Sequence, residues 1–245
     1  VTKIIPAPTQ AQREARLRSG LDRLRSLGFT SACDMGGDDG TLAAYRRLAA
    51  ANALPIRVFA YFDRDPQRMR RELARAKPRQ LSFFQVQGVK FYLDGALGSR
   101  GARLLEPYSD VPGVQGLWLL PPDDLAPEAT RVLRAGYQPA VHAIGDAANR
   151  AAFGALGRAH AACPTSPAPR VEHAQIVAPE DARAFGKAGL VASVQPMHLA
   201  DDHAWTPARL GQERLDRAFP WRTFLEGGAA LVFGSDAPIA DANPF

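Results

Sequence analysis

Four polar side chains that could do chemistry lie within or at the ends of apolar segments: Lys90, His142, His173 and Asp236. Each one alone has a structural explanation, because a strand histidine is more often a hydrogen-bonded core residue and an aspartate at a strand end more often a turn residue. The four together are much harder to explain by packing. Imidazole and carboxylate groups are ligands of Zn²⁺ and similar metals, and a carboxylate beside such a metal can accept a proton from a bound water. We therefore interpret them as a candidate metal site.

Lys90 allows a second interpretation. It lies in the middle of an apolar strand, beside Val89, Phe91 and Tyr92. A charged ammonium group in such a position is costly unless it is paired or chemically modified. A buried lysine can also lose its proton and attack a carbonyl carbon, so a metal-free enzyme that uses Lys90 as a Schiff-base nucleophile is the alternative.

The elements that must position these residues alternate between strand and helix. Apolar runs predict seven strands, at 29–35, 57–63, 86–94, 138–145, 170–177, 190–196 and 230–238. Amphipathic segments predict helices at 9–27, 41–53, 66–77, 123–135, 147–160, 179–188 and 220–227. Thr9 and Gln12 form a capping box at the first helix, and Asp146 is the expected N-cap of the fifth. This alternation is typical of a parallel sheet covered by helices. It predicts an α/β fold with one domain over residues 1–245, one strand short of a closed eight-stranded barrel.

Composition excludes several classes of protein. The 245 residues are 46% hydrophobic and 22% charged, which excludes a disordered chain. No apolar run approaches the roughly 18–20 residues that cross a bilayer, so no membrane partner is expected. The net charge is +5, but the arginines are spread over several predicted helices and mixed with acids, so no nucleic-acid partner is expected either.

The cysteine content indicates a reducing compartment. Cys33 and Cys163 are too few for a disulfide framework or a zinc cluster. The opening residues show no signal-peptide core. We therefore expect two reduced, buried thiols in a cytoplasmic protein.

Several motifs together resemble those of the amidohydrolase superfamily, and within it the amidohydrolase 3 group that includes N-substituted formamide deformylases. They occur over essentially the whole chain in the order of that group. The matching segments are VKFYLDGALGSR (89–100), VHAIGDAA (141–148), RVEHAQ (170–175), SVQPMHLADDHAW (193–205), RLGQER (209–214) and FGSDAPIADANPF (233–245).

The resemblance implies a TIM-type (β/α)8 barrel and a metal-dependent hydrolase that cleaves carbon–nitrogen bonds of the non-peptide amide type with a metal-activated water. It implies a divalent metal, with zinc expected. Lys90 matches the strand lysine that bridges two metals when it is carbamylated, and His142 and His173 match the metal-binding histidines of the next two strands. Asp236 matches the aspartate that is both a metal ligand and the proton shuttle.

The same resemblance suggests where a small-molecule amide-type substrate would bind. Arg100, His198, Asp202 and Arg209 lie in loop motifs of the group, where we expect substrate contacts. Hydrogen bonds that order the loops are an equally weighted explanation for these four residues. Whether the chain forms a homodimer stays open.

One feature of the group is missing from this sequence. Members carry an H-x-H pair at the end of the first strand, but the five histidines here lie at positions 142, 160, 173, 198 and 203, and no two are two residues apart. We therefore expect an internal fragment that lacks strand 1 and the terminal β-sandwich segments. An inactive barrel fragment is accordingly a further alternative.

Overall fold

The computed structural model of the chain describes residues 6–75 and 83–243. The chain divides into two compact units, residues 1–89 with 242–245, and residues 90–241. The prediction of a single incomplete barrel domain over residues 1–245 stays a prediction.

Seven strands, found within the described residues, follow one another in the sheet in chain order. They are β1 (Ser31–Gly37), β2 (Arg57–Asp63), β3 (Phe84–Tyr92), β4 (Gln138–Ala143), β5 (Arg170–His173), β6 (Val191–Val194) and β7 (Ala230–Phe233). The pairs β1–β2, β4–β5, β5–β6 and β6–β7 are parallel. The prediction of a parallel α/β fold is therefore confirmed, whereas closure into a barrel and the lack of a first strand stay predictions.

Helices alternate with these strands, as predicted. They are α1 (Gln10–Ser26), α2 (Asp39–Ala50), α3 (Pro66–Leu73), α4 (Pro122–Arg134), α5 (Asp146–Ala161), α6 (Pro179–Ala184), α7 (Pro196–Asp202), α8 (Thr206–Leu210) and α9 (Trp221–Glu226). Short 3₁₀ segments follow α6 and α8, at Gly186–Ala188 and Gln212–Arg217. The predicted end of the third helix, at 76–77, lies outside the described residues. Within the described part of the chain, no helix is long and apolar enough to cross a membrane.

The first unit is organised by α1 and by the α2 helix between β1 and β2. The capping box of α1 is present, because the Thr9 hydroxyl accepts from the Gln12 backbone and the Gln12 side chain accepts from the Thr9 backbone. In α2, the Tyr45 hydroxyl donates to Asp34 of β1 at 2.7 Å, and the Tyr45 ring stacks on Phe84 at 5.4 Å. Burial raises the pKa of Asp34; the bond from Tyr45 opposes this rise.

The second unit holds the chain from Lys90 to Asp241. The segment between β3 and α4, which the sequence predicts as a long loop, contributes four residues to a buried apolar cluster. Seven buried residues form this cluster: Leu97, Ala102, Leu104, Tyr108, Ile144, Ile176 and Leu210. The side-chain NH₂ group of Asn149, in α5, lies 3.0–3.2 Å from the carbonyl oxygens of residues 143, 144, 145 and 176, which share its two N–H groups. These bonds join the ends of β4 and β5 to one helix.

Three local expectations are wrong. The N-cap of α5 is Gly145, and the Asp146 carboxylate instead accepts from the Leu105 backbone at 2.7 Å and from Arg217 at 2.9 Å. Cys33 is exposed and Cys163 is half-buried, although the sequence predicts two buried thiols. Cys33 lies on the outward-facing positions of β1, which alternate with more buried ones at the start of that strand.

Candidate functional site

Two of the predicted site residues lie side by side on neighbouring parallel strands of the second unit. His142 lies near the carboxyl end of β4, and His173 is the last residue of β5. The strand register pairs Ala143 with His173, so the two histidines are offset by one residue. Their rings are 4.6 Å apart between centroids, at 70° to each other. The prediction that these residues come together is therefore matched by the geometry.

Both imidazoles are neutral at pH 7. Burial, followed by the nearby Lys90 charge, lowers the pKa of His142 to about 3. Burial also lowers the pKa of His173 well below its ordinary value, with smaller contributions from His142 and Lys90. A neutral imidazole has one ring nitrogen with a free lone pair, which is the form that a metal ligand needs. The pair is therefore in the protonation state that suits a metal.

His142 carries an unused nitrogen. Its Nε2 atom is buried and makes no hydrogen bond to any of the described residues. It lies 3.5 Å from Oδ1 of Asp94, which is beyond the range of a good hydrogen bond. A buried ring nitrogen without a partner is unusual in proteins, and it favours a ligand at this point.

Lys90 is 4% exposed, in the middle of β3. Its Nζ atom lies 5.1 Å from the centre of the Tyr92 ring, and that ring is 5.7 Å from His142. The Lys90 charge lowers the pKa of both site histidines, so its ammonium group lies in their electrostatic environment. Lys90 therefore joins the histidine pair.

Asp236 follows β7 by three residues and has a left-handed backbone, with φ 55°. The residue is exposed at the surface, yet its carboxyl group is shielded enough for burial to raise its pKa. Electrostatic interactions with His198 and Lys90 oppose that rise in pKa, so the Asp236 carboxyl group interacts with both of these residues. The structure thus brings Lys90 and Asp236 into one electrostatic environment.

Backbone strain marks the end of β5. His173 and Ala174 both adopt positive φ angles, of 75° and 43°. Residues other than glycine rarely adopt this region, and each such residue costs about 1–3 kcal/mol. Strained residues of this kind cluster at functional sites.

Asp94 is a residue of this region that the sequence analysis missed. It is fully buried two residues after β3, and its carboxylate accepts from the backbones of Arg103 and Gly145 at 2.8 Å and of Ile144 at 3.0 Å. Burial raises the pKa of Asp94 to about 7, although these three bonds favour the ionised form. It follows Lys90 by four residues in the same motif, at the end of a strand, which is the signal that could have indicated it.

Arg100 and Arg209, predicted as substrate contacts, share one carboxylate. Arg100 donates to both oxygens of Asp110, at 3.1 and 2.7 Å. Arg209 also bonds Asp110, donates to the Gly98 carbonyl at 3.1 Å, and lies over the Trp205 ring at 5.7 Å. These contacts order the loops, and a role in substrate binding stays a prediction.

His198 and Asp202, on α7, lie closer to the histidine pair. The His198 ring stacks on His173 with 5.8 Å between centroids, and its Nε2 atom is buried without a hydrogen bond to the described residues. Asp202 accepts from the Gln175 side chain at 2.9 Å. Burial raises the pKa of Asp202, and Gln175 and His198 oppose the rise.

The donors fit a borderline metal such as zinc in chemistry, because they include neutral imidazoles and a carboxyl group. In the described part of the chain, however, no three His, Cys, Asp or Glu side chains are arranged to hold a metal ion. His142 and His173 thus supply two adjacent neutral imidazoles, which is fewer ligands than the three or four protein ligands of a zinc site.

Comparison with curated proteins finds two relatives. The chain is 34% identical to Protein LONG AFTER FAR-RED 3 of Arabidopsis thaliana, over 95% of this chain and 42% of that protein. It is 30% identical to the putative amidohydrolase YtcJ of Bacillus subtilis, over 100% of this chain and 46% of that protein. The chain thus spans less than half the length of these relatives.

Solved structures are also similar to this chain. An uncharacterized metal-dependent hydrolase from Pyrococcus furiosus superposes with a TM-score of 0.87 at 31% identity, covering 99% of this chain and 49% of that one. An uncharacterized metal-dependent hydrolase from Pyrococcus horikoshii gives a TM-score of 0.86 at 28% identity, covering 97% and 47%. Here too the chain spans about half of its relatives.

The sequence profile of the amidohydrolase family, Amidohydro_3, matches residues 1–245. The match covers all of the motifs from which the resemblance was inferred, including the strands that carry His142 and His173. Because this match spans residues 1–245, and because the parallel α/β fold and the paired neutral histidines agree with it, the chain belongs to the amidohydrolase family.

Proposed function

We propose that this chain carries part of the active site of a metal-dependent hydrolase that cleaves carbon–nitrogen bonds of the non-peptide amide type in small molecules. The observation that carries the proposal is the contact between the two neutral imidazoles of His142 and His173 at the ends of neighbouring strands. The similarity to metal-dependent hydrolases of Pyrococcus supports it.

His142, His173 and Asp236 are the residues that would hold a divalent metal, with zinc as the expected ion. Lys90 would join them if its amine is carbamylated, because the modified side chain is an oxygen ligand and no longer a buried ammonium group. A bound metal would act as a Lewis acid toward the substrate carbonyl and lower the pKa of a water.

Asp236 is the proton carrier in this proposal. Burial already raises its pKa, so its carboxylate accepts a proton from the attacking water more readily than an ordinary aspartate would. The protonated carboxyl group then donates that proton to the leaving nitrogen, which would otherwise depart as an unstable amide anion. Its place just beyond the end of β7 is where catalytic groups of parallel α/β folds lie.

Substrate contacts are proposed for His198, Asp202, Arg100 and Arg209. His198 is the best placed of these, because its ring stacks on His173 and its buried Nε2 atom has no hydrogen bond to the described residues. Arg100 and Arg209 both donate to Asp110, which would hold their guanidinium groups in place for contacts with a substrate.

Zinc binding by the full chain tests the proposal. After dialysis against zinc, we expect one metal or fewer per chain, since two imidazoles and a carboxylate make an open, three-ligand set. The H142A and H173A variants should lose this metal. H203A is the matched control, because His203 is an exposed histidine whose ring bonds the Ala200 carbonyl. Equal zinc content in H173A and H203A would contradict the proposal.

The same preparations test the alternative role of Lys90. Borohydride treatment with a carbonyl compound, followed by mass spectrometry, traps a Schiff base on lysine as a stable adduct. We expect no adduct at Lys90. Its appearance in metal-free protein would favour the Schiff-base enzyme over the metal-dependent hydrolase.

A further inference from the structure

The Gln195 side chain contacts the candidate metal ligand His173 directly. Gln195 lies just after β6, is 6% exposed, and places its Oε1 atom 2.8 Å from Nδ1 of His173. The sequence analysis gave Gln195 no role.

The direction of the Gln195 amide follows from its second partner. Its Nε2 atom donates to the backbone carbonyl of Ser193 at 3.2 Å. A carbonyl oxygen can only accept, so the NH₂ end of the amide has to face Ser193 and the carbonyl end has to face the His173 ring. The usual uncertainty about which end of an amide is oxygen is removed by this bond.

The same reasoning fixes the proton on the imidazole. The Gln195 carbonyl oxygen also only accepts, so it is a partner for Nδ1 only when Nδ1 carries the hydrogen. Because neutral imidazole has one N–H, the lone pair then lies on Nε2. In this arrangement the Nδ1–H group of His173 donates to Gln195, and the Gln195 amide donates to the Ser193 carbonyl.

We infer that Gln195 is a positioning residue that holds His173 in the Nδ1–H tautomer and so presents Nε2 as the ligand nitrogen. This inference deepens the proposed function, because it rests on a metal at His173. Metal-binding histidines almost always donate their other ring N–H, which sets both the tautomer and the ring orientation. Here a buried side-chain amide takes the place of the usual carboxylate or backbone carbonyl.

Nitrogen-15 NMR of the metal-free full chain reads the tautomer directly, because protonated and unprotonated ring nitrogens have very different shifts. His173 is assigned by the loss of its signals in H173N. We expect Nδ1 to be protonated in the wild type and the Nε2–H form to become the main one in Q195M. The matched control is Q175M, since Gln175 is a similarly buried glutamine, 3% exposed, that donates to Asp202 and not to His173.

Zinc affinity, measured by competition with a chelator, gives a second readout. Loss of an outer partner of a ligating histidine typically weakens metal binding by about 10- to 100-fold, which is the drop expected for Q195M relative to Q175M. A wild-type spectrum with the proton on Nε2 would overturn the inference, even if Q195M does not fold. So would an Nδ1–H form that persists in Q195M. Failure of the wild type to bind zinc, with the tautomer as expected, would instead refute the proposed function and the ligand role of Nε2, and would leave only the control of the tautomer by Gln195 standing.

Discussion

The D94A substitution is expected to lower the free energy of unfolding more than an ordinary surface substitution does. The reason is that the Asp94 carboxylate accepts hydrogen bonds from three backbone N–H groups. Its carboxylate accepts from the backbones of Arg103, Ile144 and Gly145 at 2.8–3.0 Å, and the residue is fully buried. Alanine would leave three buried N–H groups without an acceptor. Each such group costs about 1–3 kcal/mol, so the free energy of unfolding should fall by about 3–9 kcal/mol. Since typical domains have about 5–15 kcal/mol in total, D94A should be barely folded or unfolded.

D94N separates the hydrogen bonds from the volume of the side chain. Oδ2 of Asp94 receives two of the three bonds, from Arg103 and Gly145, and Oδ1 receives the third, from Ile144. An asparagine oxygen at the Oδ2 position still accepts the two bonds from Arg103 and Gly145. The asparagine NH₂ group would then face the Ile144 N–H group, which loses its acceptor. The expected loss is therefore one bond, about 1–3 kcal/mol.

Urea denaturation followed by circular dichroism measures both variants, with D38A as the control. Asp38 caps α2 with a single backbone bond, from Thr41 at 2.7 Å, and its side chain is half exposed. Loss of such a cap costs about 0.5–2 kcal/mol. A D94A cost below that of D38A would refute the reasoning. Equal costs for D94A and D94N would show that the number of remaining acceptors does not decide stability here.

Three further substitutions test other parts of the fold. Burial raises the pKa of Asp34, so the native state binds its proton more tightly than the unfolded chain does, and stability falls as pH rises above about 4. D34N, whose oxygen can still accept from Tyr45, should therefore gain stability relative to the wild type as pH rises above about 4 in denaturation curves. A difference that does not change with pH would contradict this. G145A places a Cβ 2.0 Å from the Arg103 carbonyl oxygen, and should lower the melting temperature and the soluble yield. G20A meets nothing within 4 Å in the middle of α1, so it should raise the free energy of unfolding by about 0.5–1 kcal/mol, and a loss would contradict the helix assignment.

The residues of the site that the sequence predicted share one signal, a polar side chain inside or just after an apolar run. Lys90, His142 and His173 could be predicted for this reason, since a strand that is buried on both faces rarely contains such groups. Asp236 has the same signal at the last strand, although its shielding could only be read from the structure.

Asp94 and Gln195 could not be assigned their roles in this way. The bonds of Asp94 reach 50 and 51 residues along the chain, to Ile144 and Gly145. The partner of Gln195 is 22 residues away. Local patterns contain no information about such pairings, because they are created only when neighbouring strands and loops pack.

The helices α7 and α8 were missed for a different reason. Each is short, seven and five residues, and each has a proline in its first turn, which as a sequence signal also marks a loop. Helices of this length gain little from their own backbone bonds, so packing decides whether they form. The predicted strands, by contrast, were right to within a few residues at β2 and β4 because their apolar runs are long.

The left-handed backbone at His173 and Ala174 sets selection for stability against selection for activity at the end of β5, because the strained conformation costs stability. Glycine adopts these φ angles without steric strain, so random mutation followed by a thermal-tolerance screen should enrich glycine at Ala174. At Ala174 such a change would release strain and leave the imidazoles in place. At His173 glycine would release the same strain but remove the imidazole and leave the buried Gln195 side chain without this partner, so the strained backbone there is kept together with the histidine.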